Sequence, residues 1–452
     1  MKVAIVQEQI DMRRGGAETS TLEMARHLAT LGLRVTVVCS AGTPTESDHQ
    51  TTRLQGARDR ASSKLRDAHA HVASTPDDSM RPAVKLHAIP VTGHGRTTRT
   101  MRFLAEAHRF CDHGGFNVVH AITPCLSCNL YQPRGGTYVE TIRRSVARGS
   151  GPLMRLIRRL GRCFNWRQRF LMLLERQILA ARQPPMIAAV SEYVAQQVRH
   201  AFPACPPDRL RVVFNGVDIE PLPPAEAASS RTALRQELGV SETTPLALFM
   251  AHNFKLKGLR ELIDAMSVRP PSGPSPAPER TGHPQSEPEA QATGRNRDEG
   301  RPGPDYVLAV VGRDHPATYR RFARLRGVLD RVHFLGPRDD PPALYAAADV
   351  LAHPTWYDPC SRVVLEALCC GLPVVTTRFN GAAEVIEDGT HGLVIASPRD
   401  TPALAAAITR CLQPDLRAAC QAQAAPLRAR LSMARHAQEL RALYREIAVE
   451  KA

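Results

Sequence analysis

The chain has 452 residues, of which 43% are apolar and 23% charged, enough for two globular domains with separate cores. Its net charge of +15 favours anionic partners such as lipid headgroups, phosphorylated saccharides or nucleic acid. The eleven cysteines lack the regular framework of a secreted disulfide protein. The apolar runs are too short for a membrane-spanning helix, and the first one is too short for a secretion signal. We therefore expect a cytoplasmic protein.

The first residues predict the start of a doubly wound α/β sheet. A buried strand is predicted over 2–7, a helix over 19–31 and a second strand over 33–39. The connection between the first strand and the helix contains Gly15 and Gly16. Paired glycines let the backbone approach a ligand at the carboxyl edge of such a sheet, although they also suit a plain tight turn.

The next stretch is polar and then returns to α/β alternation. Residues 41–82 show little apolar periodicity and indicate a long surface insertion. Strands are predicted over 84–90 and 116–122, with an amphipathic helix over 99–113 between them. His120 falls near the carboxyl end of its strand, where it is either a site residue or a core histidine.

Two short motifs follow, and each has a plain structural alternative. Arg134 with Gly135 fits an anion-binding turn facing an acceptor, but an ordinary loop with an exposed arginine has the same pattern. Cys125 and Cys128 have metal-ligand spacing, yet no second cysteine pair or set of histidines accompanies them. We therefore expect no metal site here.

Residues 141–182 are strongly basic, with apolar residues interleaved among the arginines. The pattern predicts a pair of basic amphipathic helices broken near Gly161. Such a face can lie on an anionic membrane surface, or it can pack its apolar side on the sheet and leave its arginines in solvent. A strand over 187–190 comes next, and Ser191 is predicted to cap the following helix.

A junction between two domains is predicted near the Asn-Gly-Val-Asp run at 215–218. A crossing segment over 219–230, a helix over 231–238 and a strand over 246–251 come after it. The loop beyond that strand carries three cationic or titratable residues, His252, Lys255 and Lys257, before a helix begins at residue 259. Residues 269–305 are rich in Pro, Gly, Ser and charge, and we expect a disordered insertion there.

The stretch 345–377 gives the clearest indication of a binding site in the sequence. It predicts a short helix, a buried strand, a polar loop, a second helix from Ser361 and another strand. Asp358 lies in the loop and Glu366 eight residues later on the helix. A helix N-terminus suits a phosphate, and two flanking carboxylates can accept hydrogen bonds from sugar hydroxyls. The stretch therefore predicts a binding site for a nucleotide sugar.

These residues resemble a known family. The acid-x7-acid spacing and the Leu-Glu-Ala-x3-Gly-Leu-Pro-Val-Val run are similar to those of retaining GT-B glycosyltransferases of family 4. The Asn-Gly-Val-Asp run and the Lys257-Gly258 pair also resemble that family, although His252 replaces its usual arginine and Asp358 its usual glutamate. The loop variant and the basic helices are similar to glucosyltransferases that extend the lipopolysaccharide core.

The resemblance implies roles for particular residues. Asp358, Lys257 and His120 would be catalytic, with Asp358 on the donated hexose and Lys257 on the diphosphate. Arg134 and Gly135 are assigned to the acceptor from their own turn pattern rather than from the resemblance. The residues assigned to donor binding are Gly15, Gly16, His252, Lys255, Pro359, Cys360, Ser361, Arg362, Val363, Glu366 (on the ribose) and Glu384. No DxD motif occurs, so neither a metal nor a cofactor is expected.

The expected architecture is two Rossmann-like domains facing a cleft. The first would span 1–215 and bind the acceptor, the second 216–430 and bind the donor, with a last helix over 431–452 crossing back to the first.

The expected reaction moves a hexose, glucose by resemblance, from a UDP-sugar to a saccharide or lipid-linked saccharide of the cell envelope, with retention. A sugar-nucleotide epimerase or hydrolase of the same fold and a catalytically inactive nucleotide-sugar-binding protein are the alternatives. A nucleic-acid-binding protein is disfavoured because the sequence carries no fold signature of a nucleic-acid-binding domain.

Overall fold

The computed structural model describes residues 1–10, 16–41, 84–149, 151, 165–268 and 305–450. The expected insertions over 41–82 and 269–305 lie almost wholly outside the described residues, as do Gly15 and the expected helix break near Gly161.

Seven strands rich in Val, Ile, Leu and Ala form the first sheet. They are β1 (Lys2–Val6), β2 (Arg34–Ala41), β3 (Lys85–Pro90), β4 (Val118–Ala121), β5 (Leu130–Tyr131), β6 (Met186–Ala189) and β7 (Leu210–Val212). All pair in parallel, in the order β3-β2-β1-β4-β5-β6-β7. The order reverses between β1 and β4, where Val3 pairs with Val118. Ligands of doubly wound folds bind at the carboxyl ends of the strands beside such a reversal.

Helices cover both faces of this sheet. The described ones within the first half of the chain are α1 (Gly16–Thr30), α2 (Arg96–His113), α3 (Tyr138–Ala147), α4 (Trp166–Leu179) and α5 (Glu192–Ala201). Met24, Ala25 and Leu28 of α1 pack on one face. Phe103 of α2 and Leu171 of α4 pack on the other. The continuous apolar strands are typical of a parallel sheet buried on both sides.

The second sheet has six strands. They are β8 (Leu246–Met250), β9 (Val307–Val311), β10 (Val332–Gly336), β11 (Val350–His353), β12 (Val374–Thr377) and β13 (Gly392–Ile395). These also pair in parallel, in the order β10-β9-β8-β11-β12-β13. The reversal falls between β8 and β11. The expected pair of Rossmann-like sheets is thereby confirmed.

The helices of the second half pack mainly around this sheet. They are α6 (Pro224–Leu238), α7 (Leu259–Met266), α8 (Ala317–Leu325), α9 (Pro341–Ala347), α10 (Arg362–Cys369), α11 (Thr401–Cys411), α12 (Pro414–Leu431) and α13 (Met433–Glu450). The exception is α13, whose buried residues, among them Leu440, Leu443 and Tyr444, join the core of the first sheet. The first sheet ends with β7 at Val212 and the second begins with β8 at Leu246. The domain boundary between residues 215 and 216 falls in this interval and stays a prediction.

Two segments differ from the expectations. Helix α6 begins at Pro224, inside the predicted crossing segment, because proline at the first position has a φ angle already suited to a helix. Strand β5 was not predicted, since two residues are too few to show a period.

Among the described residues, no helix is long and apolar enough to cross a membrane.

Candidate donor site at the domain seam

Two loops meet where the second sheet reverses its strand order. One follows β8 and carries Lys257, and the other follows β11 and carries Asp358. They touch because β8 pairs with β11, and the Trp356 N–H donates to the Leu256 carbonyl at 3.0 Å. Gly258 makes this approach possible: at its φ of +82°, a Cβ would lie 2.1 Å from the Pro354 oxygen. The sequence spacing thus brings the predicted cation and the predicted acid together.

Asp358 and Lys257 form an ion pair in which neither side chain is more than 18% exposed. The imidazole of His353 lies on the same carboxylate, with its Nε2 3.7 Å from Asp358 Oδ2. Burial alone would raise the pKa of Asp358, but the charge of Lys257 and the contact with His353 outweigh it and lower that pKa. Asp358 is therefore ionised and able to accept hydrogen bonds from hydroxyl groups.

The tip of α10 lies beside this ion pair. Ser361 is the N-cap of the helix, and its hydroxyl is 3.4 Å from His353 Nε2. Its own N–H is not free, because it donates to the side-chain oxygen of Asn380 at 3.0 Å. The first-turn N–H groups of Arg362 and Val363 come next on the helix and are the ones available to an anion.

Glu366 is held in place by two neighbours. The hydroxyl of Tyr345 donates to one of its oxygens at 2.9 Å, and Arg362 donates to the other at 2.6 Å. Arg362 also pairs with Glu23 of α1, which belongs to the first domain. The carboxylate predicted to bind the ribose is therefore oriented at the contact between the domains.

The loop between the two acids forms part of that contact, which we call the seam. The Pro359 carbonyl accepts from the Ser191 hydroxyl at 2.6 Å, and the Cys360 carbonyl accepts from the Asn215 amide at 3.4 Å. The hydroxyl of Tyr357 donates to Gln197 at 2.9 Å. Asp358 and Glu366 thus flank a loop that faces the first domain.

Glu384 contacts the first domain in a way that the sequence did not suggest. Its carboxylate accepts from the N–H groups of Glu192 at 2.9 Å and Tyr193 at 2.6 Å. These are the first two residues of α5, so Glu384 caps a helix of the opposite domain. Its predicted role in donor binding stays a prediction, and in this conformation the carboxylate is already engaged.

His120 lies away from this group of residues. It is fully buried, and its Nδ1 is 2.7 Å from the hydroxyl of Tyr444 on α13. Burial, followed by the nearby charge of Arg134, lowers its pKa to about 3. The catalytic role of His120 stays a prediction, and its burial argues against contact with a sugar and fits the core alternative.

The remaining predicted residues lie at the edges of the site. His252 and Lys255 are on the exposed part of the β8 loop. Partial burial and then the charge of Arg313 lower the pKa of His252, so it supplies no second cation at neutral pH. Gly16 begins α1. Gly135 is at the seam, where its carbonyl is 3.3 Å from the Tyr357 hydroxyl.

The cysteines at 125 and 128 are free, and burial raises the pKa of both thiols. Among the described residues, no group of three or more His, Cys, Asp and Glu side chains is placed to hold a metal ion.

Sequence reasoning missed five residues that organise the site: Glu23, Asn215, Tyr345, His353 and Asn380. His353 and Asn215 could have been suspected, since one is a polar residue at the carboxyl end of a buried strand and the other lies at the domain junction. The others act through partners too distant in the chain for spacing to reveal.

Two family descriptions match this chain. Residues 14–221 match Glycosyltransferase Family 4, and residues 291–414 match Glycosyl transferases group 1. The lipopolysaccharide glucosyltransferase WaaG of Escherichia coli is 31% identical over 192 residues, which are 42% of this chain and 44% of WaaG. A D-inositol 3-phosphate glycosyltransferase of Salinispora arenicola is 32% identical over 193 residues, which are 42% of this chain and 39% of that protein. The chain thus spans about half the length of the curated relatives it matches.

The fold is shared over nearly the whole chain. The crystal structure of WaaG superposes with a TM-score of 0.65 at 22% identity, covering 97% of this chain and 98% of that one. Anabaena HepE in complex with UDP-glucose superposes with a TM-score of 0.61 at 18% identity, covering 99% of this chain and 100% of that one.

Proposed function

We propose that this chain, which is built of family 4 and group 1 glycosyltransferase domains in a GT-B fold, transfers glucose from UDP-glucose to a saccharide or lipid-linked saccharide of the cell envelope, with retention. The observation that carries the proposal is the pair of acids at the seam, Asp358 and Glu366, on either side of the tip of α10. The names of the relatives, a lipopolysaccharide glucosyltransferase and a UDP-glucose complex, support the choice of donor.

Each acid has a distinct role in the proposed donor complex. Asp358 is ionised and accepts hydrogen bonds from the hydroxyls of the transferred hexose. Glu366 accepts from the ribose hydroxyls, in an orientation that Tyr345 and Arg362 fix before the donor arrives.

Departure of the diphosphate is the demanding part of the reaction, because negative charge builds up on the leaving oxygen. In the proposed complex, Lys257 and the N–H groups at the start of α10 stabilise that charge; the ion pair of Lys257 beside the helix start supports this role. Before the donor binds, Lys257 and Asp358 balance each other's charge in their ion pair.

Labelled UDP-glucose, with and without envelope lipid or saccharide extract, tests the proposal. Label transfer that depends on the extract supports it. Release of free or isomerised sugar without acceptor supports the epimerase or hydrolase alternative instead. Binding without any turnover supports a catalytically inactive nucleotide-sugar-binding protein.

Substitution of the second acid tests the donor geometry. Glu366→Gln keeps the shape of the side chain but removes its charge, and we expect the Kd for UDP to rise about tenfold while the Kd for inorganic pyrophosphate is unchanged. Glu237→Gln on α6 is the matched control, since that carboxylate lies on the surface and pairs only with Arg338 among the described residues. Unchanged UDP affinity in Glu366→Gln would rule out the ribose role.

A membrane surface is the proposed location, on the inner face of the cytoplasmic membrane. Helix α4 exposes Trp166 (66%) and Leu173 (57%), and Arg169 stacks over the Trp166 ring at 5.5 Å. Apolar and cationic side chains on one exposed helix face suit an anionic bilayer. We expect the protein to co-sediment with phosphatidylglycerol vesicles but not with phosphatidylcholine vesicles, and Trp166→Ala to weaken that binding. Equal sedimentation with both lipids would contradict this location.

A further inference from the structure

Arg134 is half-buried at the seam, on the first-domain side. Its guanidinium donates to the hydroxyl of Ser20 on α1, to the Asn215 side-chain oxygen at 2.8 Å, and to the sulfur of Met24 at 3.5 Å. Burial, and then the charge of Arg362, lower the pKa of Arg134 to about 10, which still leaves it charged at neutral pH. A half-buried cation is therefore held in place by neutral groups.

A single side chain links Arg134 to the tip of α10. Asn215 accepts from Arg134 through its oxygen and donates through its nitrogen to the Cys360 carbonyl at 3.4 Å. Cys360 immediately precedes Ser361, the N-cap of α10. The guanidinium thus approaches the helix N-terminus from the first domain, whereas Lys257, paired with Asp358, belongs to the second.

The three cations around this tip differ in their partners. Lys257 pairs with Asp358, and Arg362 pairs with both Glu23 and Glu366. Arg134 makes no salt bridge to any carboxylate in the described part of the chain. The charge of Glu23 raises the pKa of Arg134, but that carboxylate is paired with Arg362. An anionic ligand is therefore the natural ion-pair partner of Arg134.

We propose that Arg134 binds the diphosphate of the sugar nucleotide from the first domain, together with Lys257 of the second. This inference rests on the proposed function and replaces the acceptor role predicted for Arg134. It also supplies the second cation that His252 does not provide. Because the two cations come from different domains, the diphosphate is fully bound only when the seam is closed.

Binding measurements without any acceptor test the proposal. Isothermal titration at fixed ionic strength compares UDP, uridine and inorganic pyrophosphate on the wild type, Arg134→Gln and Arg134→Lys. We expect Arg134→Gln to raise the Kd for UDP and for pyrophosphate about tenfold or more and to leave uridine unchanged, with Arg134→Lys in between. Arg109→Gln, at an exposed position on α2, removes the same charge and should behave as the wild type.

A second variant tests the same interaction without removing Arg134, in case Arg134→Gln does not fold. Asn215→Asp keeps Arg134 but places a carboxylate against its guanidinium, so it should also weaken UDP and pyrophosphate binding and spare uridine. Circular dichroism of each variant checks that the fold is retained.

The outcomes separate this inference from the proposed function. Wild-type affinity for UDP and pyrophosphate in a folded Arg134→Gln protein overturns the inference, and a raised KM for the acceptor alone would restore the acceptor role. A wild type that binds neither UDP nor pyrophosphate overturns both ideas. A wild type that binds UDP but transfers no sugar overturns the proposed function only, and the effect of Arg134→Gln on UDP still decides the inference.

Discussion

Gly258 shows how much a single residue constrains the donor site. It has a φ of +82°, and an added Cβ would lie 2.1 Å from the Pro354 carbonyl oxygen. Gly258→Ala must therefore push apart the two loops that carry Lys257 and Asp358. We expect a loss of about 2–4 kcal/mol in the free energy of unfolding by urea, together with weaker UDP binding.

Gly239 is the matched control for that substitution. It also has a positive φ, +67°, but a Cβ there would meet nothing within 4 Å. Gly239→Ala should cost only about 1 kcal/mol, from the left-handed conformation itself, and should leave UDP binding unchanged. Equal effects of the two substitutions would show that the contact with Pro354 is unimportant.

Glu175 makes the stability of the first domain depend on pH. It is buried on α4 and accepts from the Tyr131 hydroxyl at 2.8 Å and from the Tyr138 N–H at 2.9 Å. Burial raises its pKa to about 7, against two hydrogen bonds that lower it. The folded state therefore holds the proton more tightly than the unfolded state, and the stability it contributes is lost as pH rises from about 4.5 to about 7.

Glu175→Gln should remove this dependence, because an amide does not titrate in this range. We expect the unfolding free energy of the wild type to fall by on the order of 3 kcal/mol, relative to Glu175→Gln, between pH 4.5 and pH 8. Glu106→Gln, at an exposed carboxylate on α2, serves as control. Parallel pH profiles for the wild type and Glu175→Gln would contradict the prediction.

At the residue scale, local spacing predicted which side chains lie around the tip of α10 but not what holds them there. Asp358, Glu366 and Lys257 belong to short runs whose residues follow one another in the chain. The partner of Arg362 on the first domain, Glu23, is 339 residues away, and Asn380 reaches the Ser361 N–H from another loop. Only the folded chain brings such pairs together, so no pattern in the sequence could have revealed them.

Helix α13 ties the end of the chain to the first domain. Its residues Leu440, Leu443 and Tyr444 are buried against that domain's core, whereas Val449 is 76% exposed. Leu440→Ala should lower the unfolding free energy by about 2–5 kcal/mol, because it leaves a cavity in the core. Val449→Ala on the same helix should cost less than about 0.5 kcal/mol. A small effect of Leu440→Ala in urea denaturation would mean that α13 is not part of the folding unit.

At the element scale, long periodic segments were predictable and short ones were not. The run from α9 to β12 was predicted in type and order, because each element there shows a clear apolar pattern between loop residues. Helix α6 was predicted seven residues too short at its start, since Pro, Ala and Ser suggested a connection. The residues that pack in the second core, Leu234 and Leu238, lie near the other end of the helix, and this packing, which the local sequence does not show, stabilises the helix as a whole.

For the whole molecule, the arrangement of the two domains depends on a few contacts at the seam, and Glu384 makes the clearest of them. Its carboxylate accepts two N–H groups at the start of α5, where the helix dipole is positive. Glu384→Ala leaves those N–H groups without a partner, so the closed arrangement should lose about 1–3 kcal/mol relative to an open one. We expect a larger radius of gyration by small-angle scattering and a higher KM for the donor. Glu387→Ala, three residues later at an exposed position, should match the wild type in both. An unchanged radius and KM in Glu384→Ala would mean that other contacts alone hold the domains together.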